Sequence, residues 1–259
     1  MVWFEIWQND YDKDDLYYYE EIEMGADPTD PDTDNDGYMD GKDFDPLDKN
    51  IGNNMVINEF DPKYQYIEYG EKCEWEWGYN YAETNNSYSY ISSSEKRIEC
   101  GIRAFITDGD LKDEHWPIAR CWHNAVMATA CKIRVPSSGE VDISVVFDRI
   151  KGRGTRLMEA FSFFQIYILL YTPDGNLIWK EQVEHYNWSS IGAYDSIDWH
   201  NKKYTISVYL GKGANYSVVF LFHHFVNAQV MFAGYCTCYS YFYGDNGYIK
   251  VDNVEVKMQ

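Results

Sequence analysis

The sequence is poor in basic residues. Lys and Arg number 22 against 42 Asp and Glu, which gives a formal net charge of −20. A chain this acidic is repelled by phosphate backbones and by anionic lipids, so nucleic acid and anionic membrane surfaces are excluded as partners. Long hydrophobic runs are missing too. The longest, Ile166–Tyr171, is far shorter than the ~18 apolar residues of a spanning helix, so we expect no membrane span.

Motifs of known catalytic chemistry are also missing. The chain contains no Gly-x-Ser-x-Gly, no His-Glu-x-x-His and no glycine-rich phosphate loop. The histidines are scattered, and the adjacent His223 and His224 would face opposite sides of a strand. Acidic side chains are numerous between residues 68 and 114, but no pair stands out as the two carboxyls of a glycosidase. We expect a protein that is not an enzyme, and a glycoside-active enzyme remains a lesser alternative.

The acidity is local. Residues 1–50 carry 17 acidic and 3 basic side chains, whereas residues 51–259 carry 25 acidic and 19 basic ones. This shift in composition predicts two regions: an acidic arm over residues 1–50 and a second domain over residues 51–259.

The acidic arm contains a segment with regularly spaced carboxylates. Residues 32–43 read Asp-Thr-Asp-Asn-Asp-Gly-Tyr-Met-Asp-Gly-Lys-Asp, with Gly37 at position 6. Ca²⁺ takes six to eight oxygen ligands, and alternate residues of a tight loop converge on one ion when glycine makes the bend. We therefore predict a calcium loop. Its ligands would be the side chains of Asp32, Asp34, Asp36, Asp40 and Asp43 and the carbonyl of Tyr38.

A weaker copy of the pattern lies 22 residues upstream. Its predicted ligands are Asp10, Asp12, Asp14 and Glu21. Asp15 stands at the glycine position, and Tyr18 stands where the ninth-position carboxylate would be. Asp27 and Asp30, in the segment that links the two copies, are further candidate ligands. The alternative is an acidic, disordered linker without metal.

The segment from Asp10 to Asp48 resembles thrombospondin type 3 repeats through its Asp-x-Asp-x-Asp-Gly-x-x-Asp core, over about a sixth of the chain. The resemblance implies calcium ions wrapped in series, with a structural role for the metal. Pro46 follows the strong loop and prevents a long exiting helix. Because calcium is millimolar outside cells, we expect a secreted or cell-surface protein.

Residues 51–259 show alternating, β-branched and aromatic runs without a long helical period. We predict an all-β fold: an antiparallel jelly-roll-type β-sandwich with an N-terminal irregular calcium-binding arm. Residues 173–176 and 244–247 are expected to be tight links between strands. The predicted strands are Tyr64–Tyr69, Arg97–Ile106, Val126–Val135, Val141–Arg149, Phe161–Thr172, Leu177–His185, Lys203–Leu210, Tyr216–Phe225, Val230–Tyr243 and Tyr248–Lys257.

The last part of the chain is similar in pattern to the final strands of jelly-roll modules that bind carbohydrate. The similarity rests on Gly247–Val256 together with Tyr204–Leu210, Gly213 and Tyr216–Phe220. It covers about sixty residues and implies a fold more than a ligand, so no binding residue is transferred from it.

The chain has six cysteines, and their even number favours disulfides in a secreted protein. They are Cys73, Cys100, Cys121, Cys131, Cys236 and Cys238. The sequence does not choose among the pairings, although Cys236 and Cys238 share one face of a strand and are expected to bridge to neighbouring strands. Zinc is the alternative, but the Cys-x-x-Cys pair typical of zinc sites is absent.

Aromatic residues form 18% of the chain, more than its core requires, so we expect some to be exposed. A candidate strip contains Trp75, Trp77, Tyr79 and Tyr81. These rings would stack on sugar rings, contact another subunit, or pack under a loop.

Residues 1–7 alternate like a short strand that the acidic arm separates from the sandwich. A lone strand is unstable, so it would pack on the arm, belong to an upstream domain, or pair with another copy of the chain. The opening residues carry no signal peptide, and we expect sequence upstream of Met1.

The sequence therefore predicts a calcium-stabilised extracellular structural module. It would act as an adhesion, matrix or filament-assembly subunit that associates with itself or with other cell-surface proteins. The alternative is a carbohydrate-binding module that binds glycans.

Overall fold

The computed structural model describes residues 7–60, 66–76, 81–92, 94–107, 118–156, 161–188, 195–230, 236–242 and 247–259. Its helix α1 (Tyr18–Met24) and a 3₁₀ turn (Asp40–Lys42) lie in the acidic arm. Within the described residues, no helix combines the length and the apolar character needed to cross a bilayer.

Twelve strands make up the described part of the body, and the first begins just after the acidic arm. They are β1 (Asn54–Ile57), β2 (Tyr66–Glu76), β3 (Tyr81–Ser92), β4 (Arg97–Thr107), β5 (Ile118–Arg134), β6 (Gly139–Arg156), β7 (Phe161–Tyr171), β8 (Leu177–Asn187), β9 (Asp195–Leu210), β10 (Asn215–Val230), β11 (Cys236–Phe242) and β12 (Tyr248–Met258).

The strands form two antiparallel sheets. One has five strands in the order β2-β5-β10-β7-β8. The other has seven, in the order β1-β12-β4-β11-β6-β9, with β3 also paired to β4. The predicted all-β, antiparallel sandwich is confirmed.

Alternating burial explains why the sheets pack face to face. On β7, Phe164, Ile166 and Ile168 are buried while the residues between them are partly exposed. The Phe242 ring of β11 lies 4.9 Å from the Phe164 ring and 5.1 Å from the Phe222 ring, measured between centroids, so these aromatics join the two sheets. Each such fully buried side chain contributes roughly 1.5–3 kcal/mol of hydrophobic stabilisation.

The ten predicted strands all have counterparts, but the pattern missed β1 and β3. β1 is only four residues long, and β3 contains an Asn-Asn pair, and Asn is depleted in strands. The turn at residues 173–176 is confirmed: the Gly175 N–H donates to the Thr172 carbonyl at 3.0 Å, and β7 pairs with β8.

Residues 244–246 of the predicted link between the last two strands lie outside the described residues, but the two strands do not pair with each other as a hairpin would. β11 and β12 both run antiparallel to β6, β11 along residues 153–156 and β12 along residues 141–151. β11 and β12 therefore lie end to end along β6 and together occupy one strand position in the sheet. The physical reason is the length of β6, whose 18 residues offer one edge to both strands.

The strand register places Cys73 on β2 directly opposite Cys121 on β5. Cys236 and Cys238 lie opposite Ile106 and Ala104 instead. Cys131 is a free cysteine, 1% exposed in the core. The side chains of Cys73, Cys100, Cys121, Cys236 and Cys238 lie outside the described residues, so disulfide formation stays a prediction.

Peptide mapping without reduction tests the cysteine register. We expect a Cys73–Cys121 bridge after oxidative folding, because opposite residues of antiparallel strands have Cα atoms about 4.5–5.5 Å apart, within the range of a disulfide. Cys131 should stay unalkylated until the sandwich unfolds, because burial raises the pKa of its thiol to about 12. A bridge from Cys73 to any other cysteine would contradict the register.

Candidate functional site

The two acidic loops of the arm share one backbone conformation. At position 4, Lys13 and Asn35 have φ of +69° and +60°, and at position 6, Asp15 and Gly37 have φ of +80° and +102°. Asp and Asn are the non-glycine residues that tolerate the left-handed region best. The first loop therefore folds like the second, although it has Asp15 where the second has glycine.

The same hydrogen bonds hold both loops. The first-position carboxylate accepts from the N–H of position 6, from Asp15 to Asp10 at 3.3 Å and from Gly37 to Asp32 at 2.9 Å. The fifth-position carboxylates accept from the N–H of position 7, at 2.7 Å in the first loop and 2.9 Å in the second. These bonds turn carboxylates from alternate residues toward the inside of each loop.

Three groups of carboxylates result, and in each group one oxygen per residue lies within 4.8 Å of the others. The groups are Asp10, Asp12 and Asp14; Asp14, Glu21 and Asp40; and Asp32, Asp34 and Asp36. Two like charges at this distance repel by roughly 3–4 kcal/mol at an effective dielectric constant of about 20. Several such pairs approach the whole stability of a domain, roughly 5–15 kcal/mol. The clusters therefore need bound cations or protons.

Several buried carboxylate oxygens of the arm lack hydrogen-bond partners. Glu21 is 0% exposed, and neither of its carboxylate oxygens has a partner. Both carboxylate oxygens of Asp12, and one oxygen each of Asp34 and Asp43, are also buried and also lack a hydrogen-bond partner. No Lys, Arg or His in the described ranges forms an ion pair with these groups. Buried oxygens are normally satisfied, and a metal ion would satisfy these.

Burial and repulsion shift the acidity of the clusters. Burial, reinforced by the charges of Asp12, Asp14 and Asp40, raises the pKa of Glu21 to about 7. Burial also raises the pKa of Asp14 to about 6, and that of Asp43 to about 6 with the charges of Asp36 and Asp34 adding to the effect. Among the described residues Asp43 joins none of the three carboxylate groups, so its role as the position-12 ligand stays a prediction.

The chemistry of the donors fits calcium. Every member of the three groups is a carboxylate, with no His or Cys among them. An all-oxygen set suits a hard cation, and Ca²⁺ accepts the irregular six- to eight-fold geometry of loops better than the strictly octahedral Mg²⁺ does.

The remaining predicted ligands have other environments. Asp27 Oδ1 accepts from the Thr29 N–H at 3.1 Å and from its hydroxyl at 2.8 Å, and Asp30 accepts from the Asp32 N–H at 3.4 Å. Neither joins a carboxylate group within the described residues. Tyr38 packs its ring over Gly52, where an added Cβ would lie 2.3 Å from it. The metal-ligand role of the Tyr38 carbonyl stays a prediction.

The arm is docked on the sandwich. Lys212, in the β9–β10 loop, forms an ion pair with Glu20 of α1. Lys42 donates to the carbonyl of Gln259 at 3.4 Å, and Phe44 packs against the hydrophobic core. Order in the loops is therefore transmitted to one end of the β body.

A second candidate surface lies on the outer face of the five-stranded sheet. Phe163 on β7 stacks on His185 of β8 at 5.5 Å and on Phe225 of β10 at 5.2 Å, measured between ring centroids. Phe163 and Phe225 are half-buried and His185 is exposed. The three rings form an aromatic row across neighbouring strands.

Polar groups continue this row. Gln165 Nε2 lies 2.8 Å from His185 Nδ1, and Gln165 Oε1 lies 3.2 Å from His223 Nδ1. The Tyr167 hydroxyl lies 2.8 Å from Gln165 Oε1 and 3.1 Å from Gln182 Oε1. We call Phe163, Gln165, Tyr167, Gln182, His185, His223 and Phe225 the outer-face row. It joins ring surface to amide and imidazole groups that both donate and accept hydrogen bonds.

Sequence reasoning pointed to a different aromatic strip. Trp77 and Tyr79 lie outside the described residues, as do the side chains of Trp75 and Tyr81, so that interpretation stays a prediction. The outer-face row was missed because its members come from three strands. The outward position of alternate residues on β7, β8 and β10 was the only signal for it in the sequence.

No protein-family model and no curated protein sequence matches this chain. A family 35 carbohydrate binding module from Clostridium thermocellum is 13% identical, with 80% of this chain and 98% of that one covered and a TM-score of 0.22. A family 61 module in complex with β-1,4-galactotriose is 8% identical, with 70% and 91% covered and a TM-score of 0.22. The infectious bursal disease virus structure is 8% identical, with 78% and 40% covered and a TM-score of 0.24. Carbohydrate-binding modules are thus among the structural neighbours, but scores this low carry no argument about function.

Asp34→Ala combined with Asp36→Ala tests whether the second loop orders the arm. We expect arm cleavage to become at least about tenfold faster in millimolar calcium, because two of three clustered carboxylates are gone. The near-UV circular dichroism of the sandwich should stay unchanged. Asp27→Ala with Asp30→Ala removes the same charge outside the clusters and serves as the control. Equal cleavage of the two variants would show that the second loop does not order the arm.

The raised pKa values predict how the arm responds to pH when a chelator is present. Glu21 and Asp14 have ordinary pKa values of 4.5 and 3.8 but keep their protons in the folded arm up to about pH 7 and 6. The folded arm then binds more protons than the unfolded one, so its stability is full at low pH and is lost as pH rises through these values.

With a chelator present, we therefore expect papain to cut the arm faster at pH 8 than at pH 5. The activity of papain is calibrated at each pH with a peptide substrate. Millimolar calcium should restore protection at pH 8, because the ion replaces the protons. A chelated arm that is cut equally at both pH values would contradict the burial of these carboxyls.

Proposed function

We propose that the protein is a secreted, non-catalytic glycan-binding module in which an antiparallel β-sandwich carries a calcium-stabilised arm. The observation that carries the glycan-binding part is the outer-face row. The observation that carries the calcium part is the set of buried carboxylate oxygens without hydrogen-bond partners, above all those of Glu21.

Calcium has a structural role in this proposal. The carboxylate groups lie in the arm, whereas the outer-face row lies on β7, β8 and β10 of the sandwich. The ions therefore hold the arm against the end of the sandwich and do not touch the glycan. Extracellular calcium, at millimolar concentration, would keep the loops filled, which supports secretion as part of the proposal.

The outer-face row suits a sugar by its chemistry. A pyranose ring presents an apolar C–H surface that packs on aromatic side chains and hydroxyl pairs that both donate and accept hydrogen bonds. Gln165 and His185 offer both kinds of hydrogen-bond partner beside the Phe163 ring, and Gln182 offers them beside Tyr167. Burial and the nearby charge of Lys180 lower the pKa of His223, which favours a neutral imidazole that can accept as well as donate.

Assembly through strand pairing gains no support from the β8 edge of this sheet. β8 is one of the two edge strands and exposes Leu177 and Ile178, but it also carries Lys180, Glu181 and Glu184. Charges on an edge strand discourage edge-to-edge pairing. The adhesion, matrix or filament interpretation therefore rests on the sequence alone.

The test is binding of soluble oligosaccharides, with cello-, xylo-, manno- and galacto-oligosaccharides as probes in calorimetry of the full chain with calcium. We expect at least one series to bind. Gln165→Ala with Tyr167→Ala should then weaken that binding at least about tenfold, because the central amide and the ring beside it are lost.

Tyr209→Ala is the matched control, since Tyr209 is 71% exposed on β9 of the other sheet, and its affinity should equal that of the unchanged protein. Sedimentation in the same buffer distinguishes the alternatives. A chain that binds none of the probes and forms large species only with calcium would overturn glycan binding in favour of an assembly subunit.

A further inference from the structure

We infer that the cation site of the first loop is completed by Asp40 from the second loop, so that the two loops form one coupled metal centre. This inference rests on the calcium part of the proposed function. The sequence register gives Asp40 to its own loop, as position 9 of the loop that begins at Asp32. The structure instead groups its carboxylate with Asp14 and Glu21 of the first loop.

The composite site is buried and closely spaced. Asp14 and Glu21 are 0% exposed and Asp40 is 1% exposed, and one oxygen of each lies within 4.8 Å of the others. Both oxygens of Glu21 lack a hydrogen-bond partner, which independently points to a ligand between these groups. A divalent hard cation, with Ca²⁺ as the best match, satisfies all three carboxylates at once.

The first loop has a gap that Asp40 fills. Its own ninth position is Tyr18, which has no carboxylate and begins helix α1. Two hydrogen bonds from Thr33 orient Asp40: the Thr33 N–H donates to Oδ1 at 2.8 Å and its hydroxyl donates to Oδ2 at 2.7 Å. Metal-binding carboxylates are commonly held in this way by surrounding donors.

Gly41 allows the two loops to meet. Its N–H donates to Asp14 Oδ2 at 3.0 Å, and a Cβ at this position would lie 2.1 Å from the Asp14 carbonyl oxygen. Only glycine permits so close an approach, and the approach brings the neighbouring Asp40 to the first loop.

The arrangement couples the two ions. Thr33 and Asp40 both belong to the second loop, so an ion that orders this loop also fixes Asp40 in place for the first ion. Coupling of this kind is reciprocal, so each ion raises the affinity for the other. Calcium should therefore bind the arm with positive cooperativity.

Calcium calorimetry tests the inference in a full-length variant in which only the first loop is left to bind an ion. Asp32→Asn with Asp34→Asn disables the second loop and leaves the first. Adding Asp40→Asn to this background should lower the remaining affinity at least about tenfold. Adding Asp45→Asn, which removes an exposed carboxylate outside the three groups, is the matched control and should change the affinity less than about twofold. An affinity that Asp40→Asn leaves unchanged would overturn the inference.

Two further outcomes separate this inference from the proposed function. If the unchanged protein takes up no calcium, the calcium proposal itself fails. If the background variant binds none, Asp40→Asn alone is measured in the unchanged protein, where loss of the first ion supports the composite site and retention of both ions overturns it. Gly41→Ala should remove the cooperativity while the near-UV signal of the sandwich stays unchanged.

Discussion

Repulsion between buried carboxylates is the constraint on which the arm depends. Asp14, Glu21 and Asp40 are nearly or fully removed from water and close together, and the described chain gives them no basic partner. A polypeptide does not hold such a cluster unless its charge is neutralised. Without cations, protons do this and the pKa of Glu21 rises; with cations, the same geometry becomes a binding site. The same cluster therefore accounts for the raised pKa of Glu21 and, in the calcium proposal, for metal binding by the arm.

The consequence reaches the sandwich through a few contacts. Helix α1 begins at the gap of the first loop, and its Glu20 pairs with Lys212 between β9 and β10. Phe44, just after the second loop, packs against the core. The arm has little hydrophobic core of its own, with Leu16, Ala26 and Pro46 as its buried apolar residues among those described. Ion pairs and, in the calcium proposal, bound cations therefore position the arm on the body more than hydrophobic burial does.

Local patterns were predictable, and non-local ones were not. The carboxylate spacing indicated both loops because a turn of backbone is determined by nearby residues, and alternation found most strands for the same reason. The partner of Asp40 could not be predicted, because it depends on how two loops dock. The end-to-end placement of β11 and β12 and the outer-face row, built from Phe163, His185 and Phe225, depend on strand order, which spacing along the chain does not reveal.

The first loop shows how far a motif can depart from its pattern. Asp15 takes the left-handed conformation that Gly37 takes in the second loop, at a cost of about 1–2 kcal/mol for an ordinary L-residue and less for aspartate. The missing ninth carboxylate is supplied from the other loop. The backbone conformation of Asp15 compensates for the missing glycine, and Asp40 of the second loop compensates for the missing carboxylate. The first loop therefore retains a site because the second loop lies against it.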